Sequence, residues 1–177
     1  MRDRFVHPLR PTPGERRLLA AGLGVAVCGG LMSFVIVTQM GQNKTMLRSM
    51  TDADLWFVTA GMLGGIGGLY MGRNWLGHGG PAGAVKAVAG MLVVSFAGAL
   101  IAGSLALPLY GTMFGPLMLG LTLAGNPALA LLWLTVMTGS HLLFRTWRRE
   151  KKSLFAPLAA QAEPRGRASP LRWVQKT

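Results

Sequence analysis

The chain has 177 residues, 51% of them hydrophobic, with 18 Lys and Arg against 6 Asp and Glu and a formal net charge of +12. So much positive charge invites a nucleic-acid reading, but the bases flank apolar segments and no aromatic-interleaved basic motif accompanies them, so no nucleic-acid partner is expected. A single cysteine, Cys28, excludes an intrachain disulfide and a cysteine metal cluster.

From Ala87 to Phe144, 58 residues pass without one Asp, Glu, Lys or Arg. The surface of a water-soluble domain needs charge, whereas a bilayer core takes roughly 20 apolar residues per helix. The run is too long for one crossing and suits two. The sequence therefore predicts an all-α integral membrane protein with four transmembrane helices.

Residues 1–17 form a basic tail carrying Arg2, Arg4, Arg10, Arg16 and Arg17. The first span, about 18–40, is 23 residues long. It is longer than a usual signal core and has no small-x-small cleavage site just beyond it, so a retained anchor is expected. The second span, about 55–72, is the weakest, because six of its 18 residues are glycine. The third covers about 84–107, with Lys86 able to extend its ammonium to the interface. The fourth covers about 127–144. Residues 150–177, rich in Ala, Pro, Arg and Ser, read as a basic, disordered cytoplasmic tail.

Parity supports the second span. Excess Lys and Arg near span ends stays cytoplasmic. Five bases lie in the N-tail and nine in the C-tail, so both tails belong on one side and the number of crossings is even. With both termini inside, the cytoplasmic segments hold 16 bases and the outer ones two, Lys44 and Arg48, offset by Asp52 and Asp54. Trp56, Tyr70, Trp75, Tyr110 and Trp147 fall at predicted span ends, where amphipathic rings favour the headgroup zone.

Helices in lipid associate by close backbone approach and by hydrogen bonds between them. Gly64, Gly68 and Gly72 make one bare stripe on the second span, with Gly61 and Gly65 beside it. Gly22, Ala26 and Gly30 repeat the spacing on the first span, and Ser95, Ala99 and Gly103 on the third. Packing inside one bundle is the expected use of these stripes. The fourth span, with Leu129, Leu131, Leu132, Trp133 and Leu134, is bulkier and expected to face lipid. The Trp133 indole, near the middle of that span, needs an acceptor.

The segment between the third and fourth spans, 109–126, is almost wholly apolar, unlike a solvated loop. Pro116 suits the first turn of a short helix and Gly125-Asn126 its stop. A helix over Pro116 to Ala124 is expected, interfacial or re-entrant. The alternative is a single fourth helix from Pro116 to Phe144, kinked at Pro127. Irregular backbone at membrane depth is tolerated only when buried in protein or lining a wet cavity. Tyr110, Phe114 and Asn126, with the intramembrane His141, are therefore candidates for a pathway or a partner surface. Arg73, Arg145, Arg148 and Arg149 are candidates for lipid phosphate, so anionic lipid on the cytoplasmic side is an expected partner.

Catalytic chemistry has little to work with. The predicted spans hold no carboxylate, and the sequence shows no Ser/His/Asp set, HExxH or CxxC. No cofactor or metal is expected, and His141 lacks a second intramembrane histidine for haem. The run Gly64-Gly65-Ile66-Gly67-Gly68-Leu69-Tyr70-Met71-Gly72-Arg73 lacks the Lys-Ser/Thr ending of a phosphate loop. It resembles the glycine-rich, arginine-ended segment of small fluoride-channel proteins, but the asparagine-glycine and phenylalanine signature of that family is missing, so the resemblance implies no site residue.

Two functional expectations follow. The first is a small, non-catalytic protein of a bacterial cytoplasmic membrane that serves as an accessory, assembly or interaction subunit of a membrane complex, or as a homo-oligomer. The second is a small oligomeric channel or carrier for a solute or ion.

Overall fold

The computed structural model describes residues 13–40 and 50–162, with side chains through Lys151. Among them are five helices: α1 Pro13–Met40, α2 Asp52–Gly72, α3 Pro81–Ala106, α4 Gly111–Gly125 and α5 Pro127–Ala162. Four of the five are long and apolar enough to cross a membrane, and α4 is not. At ~1.5 Å per residue, the 15 residues of α4 reach about 22 Å, short of a hydrocarbon core of ~30 Å.

The long helices form an antiparallel sequence of neighbours, in which α5 packs on α1, α1 on α2, and α2 on α3. One end of the bundle gathers the basic groups. There Arg17 pairs with Glu150, and Arg148 Nη2 donates to the Arg73 carbonyl at 3.0 Å and to the Asn74 carbonyl at 3.2 Å. At the opposite end Thr51 and Asp54 cap α2 reciprocally: the Thr51 hydroxyl accepts from the Asp54 N–H, and the Asp54 carboxylate from the Thr51 N–H. The Trp56 indole donates to the Leu105 carbonyl at 3.0 Å, satisfying one of the free carbonyls at the end of α3.

The glycine-rich second span is a full helix because its bare surfaces are covered. A Cβ on Gly68 would overlap the Val94 carbonyl and the Gly98 backbone, and one on Gly64 would meet the Gly98 carbonyl and Ala102. The Gly64, Gly68, Gly72 stripe therefore lies against α3. Gly61 and Gly65 lie against Gly29, Ser33 and Val25 of α1, so α2 is wedged between two neighbours by backbone contact on both sides.

Three outcomes bear on the expectations: two are revised, and the alternative of one continuous fourth helix is excluded. First, the helix between the third and fourth spans starts at Gly111, not Pro116, which sits inside it. It starts early because Gly111 and Gly115 seat against Gly103 and Ala99 of α3, so the chain turns back onto α3 at once. Second, this helix does not run on into the fourth span. Asn126 is extended (φ −133°, ψ 95°), and its side-chain oxygen accepts from the Leu129 N–H at 3.3 Å, starting α5 afresh. Third, residues 150–162, expected to lack structure, continue α5 to Ala162. Nothing in Arg145-Thr146-Trp147-Arg148-Arg149-Glu150-Lys151 stops a helix, and leaving an apolar segment is not itself a helix terminator. The expected tails 1–12 and 163–177 and the loop bases Lys44 and Arg48 lie outside the described residues.

The loop joining α2 to α3 is held at several points. Leu76 is fully buried, and the Gly77 N–H donates to His141 Nδ1 at 3.2 Å. Gly77 has φ +81°, and a Cβ there would meet the Phe144 backbone, so glycine is required for both reasons.

Candidate functional site: an apolar cavity beneath α4

The hydroxyls within the helices are mostly spent on their own backbones. Thr38, Thr59, Ser104 and Thr135 donate to carbonyls three or four residues back, at 2.7–2.8 Å. Ser95 does the same toward Met91 at 2.8 Å, but its oxygen also accepts from the Trp133 indole at 3.0 Å. The acceptor that Trp133 needs is therefore on α3, and the bond joins α5 to α3.

That bond forms part of the wall of a cavity of about 320 Å³ in the half of the bundle away from the basic end. All five helices contribute: Cys28, Met32 and Ile36 from α1, Gly61 and Gly65 from α2, Gly98, Ala99 and Ala102 from α3, Gly111, Phe114 and Met118 from α4, and Trp133 and Met137 from α5. The cavity exists because α4 does not lie flat across its neighbours. Its first half seats on α3 through Gly111 and Gly115, and its second half brings Leu119 and Leu123 to the buried cluster of Cys28, Met32, Val35 and Leu129. Helix α4 touches α1 and α5 only sparsely, and Ile36 and Met40 of α1 line the cavity together with Tyr110 and Phe114.

The candidate residues separate. Tyr110 and Phe114 both line the cavity, whereas Asn126 caps α5 and His141 lies toward the basic end as the acceptor for the Gly77 N–H. Ser95, Ala99 and Gly103 form one face of α3, turned toward α4 and α5 and not toward α2. Ala26 is buried, and Gly30 meets Val58 and Met62 of α2, but Gly22 faces open space, with nothing close enough to meet a Cβ. Arg73 stacks over the Tyr70 ring at 4.0 Å, Arg145 lies beside Gly79, and Arg148 is engaged with the α2–α3 loop. Arg149 is exposed near them.

Sequence reasoning missed Gly111 and Gly115. Their four-residue spacing is the same signal that α2 carries, but both lie before Pro116, outside the expected helix.

The turn into α4 carries a strained residue. Leu109 has φ +73°, a region that leucine rarely adopts, and its side chain is 89% exposed.

Five helices, four of them of spanning length and apolarity, around an apolar cavity define the class of a polytopic α-helical membrane protein. Comparison with protein-family models, curated proteins and solved structures finds no match to this chain.

Proposed function

We propose that this is a non-catalytic multi-pass protein of a bacterial cytoplasmic membrane that acts by association, as an accessory or assembly subunit of a larger membrane complex. The observation that carries this reading is the outward face of the α3–α4 turn and α4. Leu109 in the turn and Met113, Leu117 and Leu121 on α4 are all exposed there, on a helix too short to span and anchored to α3 through Gly111 and Gly115. A contiguous apolar face on a non-spanning element is a typical place for a partner to sit. In this reading both termini are cytoplasmic, and the basic end, with Arg73, Arg145, Arg148 and Arg149, meets anionic headgroups.

The cavity favours a second reading, a small carrier. Its walls argue against an ion as cargo, because an ion must exchange its hydration shell for carbonyls, charges or hydroxyls along its path. A carrier built on this cavity would move an apolar solute. Mild extraction of the full chain, followed by native mass spectrometry and flux assays in proteoliposomes, tests both readings. A defined larger complex without flux supports the accessory role. Flux by the isolated protein supports the carrier, and a lone, flux-inactive species overturns both.

A further inference from the structure

We infer that the cavity beneath α4 is a binding site for one acyl chain of a bilayer phospholipid. Three occupants compete for a space of about 320 Å³, and size and chemistry separate them. Water needs 2–4 polar partners in a cavity. The Ser95 hydroxyl is already spent on Met91 and Trp133, and apart from Ser33, Cys28 and Tyr110 the rest of the wall is glycine and apolar side chains, so the polar partners that a water needs do not converge on one point. A partner helix is too thick: one turn, at ~10 Å diameter and ~5.4 Å rise, fills roughly 400 Å³ before the next turn is placed. A linear hydrocarbon chain is thin enough. An apolar cavity of about 150 Å³ takes one benzene-sized molecule, so this one takes a chain segment of about twice that bulk.

The walls suit such a guest. Ala99, Ala102 and Ala106 of α3 give one wall low relief, while Met32, Met118 and Met137 can adjust their rotamers to a flexible chain. The lining comes from helices apolar enough to lie in a bilayer, so in this reading the medium beside the site is lipid hydrocarbon. Entry gains little by desolvation, because the chain is already in an apolar phase. The gain is dispersion contact with walls that otherwise face a void. Tyr110, 73% exposed at the rim, gives the site an amphipathic edge near the headgroup level.

The test reconstitutes the full chain in phosphatidylcholine vesicles containing a small fraction of lipid with a diazirine near the end of one acyl chain, then maps adducts by mass spectrometry. Adducts are expected at Met32 and Met118 inside the cavity as well as on outward residues such as Leu131. In Ala106→Phe, the added ring takes up to about half of the 320 Å³, so labelling at Met32 and Met118 falls roughly twofold or more while that at Leu131 stays unchanged. The unmodified protein is decisive even if that variant does not fold. Adducts confined to outward positions, or crosslinks there to a second protein chain with none in the cavity, overturn the inference.

Discussion

The Trp133 indole and the Ser95 hydroxyl meet at 3.0 Å across the wall of the cavity, and this is the hydrogen bond by which α5 holds α3. Because the Ser95 hydroxyl keeps its own-helix acceptor at Met91, removing the indole leaves no orphaned donor on α3. The pair should therefore contribute modestly. Interhelical hydrogen bonds in membranes average about 0.6 kcal/mol in double-mutant cycles. A cycle of Trp133→Phe and Ser95→Ala, read by unfolding in mixed micelles, is expected to give a coupling near that size. A coupling indistinguishable from zero would remove this contact from the account of how α5 is held.

Glycines that look alike in the sequence differ in what they touch. Gly68→Ala places a methyl group onto the Val94 carbonyl, a rigid obstacle, and is expected to destabilise by about 1–3 kcal/mol. Gly22→Ala meets nothing and removes a helix-weakening residue, so it should be neutral or stabilising by up to ~1 kcal/mol. Both variants can be compared by thermal melting in one detergent. Equal effects at the two sites would mean that close approach of α2 to α3 does not set stability.

That contrast also marks what the sequence can convey. The absence of charge from Ala87 to Phe144 announces spans, and the four long helices cover the expected segments. Glycine spacing announces close approach, but it does not name the neighbour: the Ser95, Ala99, Gly103 face turns to α4 and α5, and Gly22 faces nothing. Only the tertiary arrangement decides which stripe is covered. The cavity was less legible still. Tyr110 and Phe114 could be singled out because an apolar loop is anomalous. Met32, Gly98 and Met137, which share the space with them, look like ordinary span residues until α4 is seen to seat on α3 at one end and on the α1–α5 cluster at the other.

The strained turn offers a stabilising substitution. Leu109 holds φ +73° with its side chain 89% exposed, so little protein contact is lost when it is removed. For an L-residue with a Cβ the left-handed region costs roughly 1–2 kcal/mol, and glycine is spared that cost. Leu109→Gly should raise the melting temperature in detergent, less the entropy that glycine adds to the unfolded chain. If Leu109 also contacts a partner, the same change should weaken co-purification while the isolated protein becomes more stable. Loss of stability in the isolated protein would contradict the strain argument.

His141 serves the α2–α3 loop by accepting the Gly77 N–H at 3.2 Å, next to the point where Arg148 holds the Arg73 and Asn74 carbonyls. His141→Leu leaves that amide without its acceptor, which costs about 1–3 kcal/mol when the group stays buried. His141→Gln retains a carbonyl oxygen able to accept and should recover part of the loss. The local effect is as informative as the global one, because the exposed Arg73–Asn74 bond can enter the trypsin active site only when the loop is free to unfold locally. Faster cleavage there in His141→Leu, partly reversed in His141→Gln, is the expected pattern. If both variants were cleaved at the wild-type rate but lost transport or complex formation, His141 would belong to the functional pathway and not to the loop's anchorage.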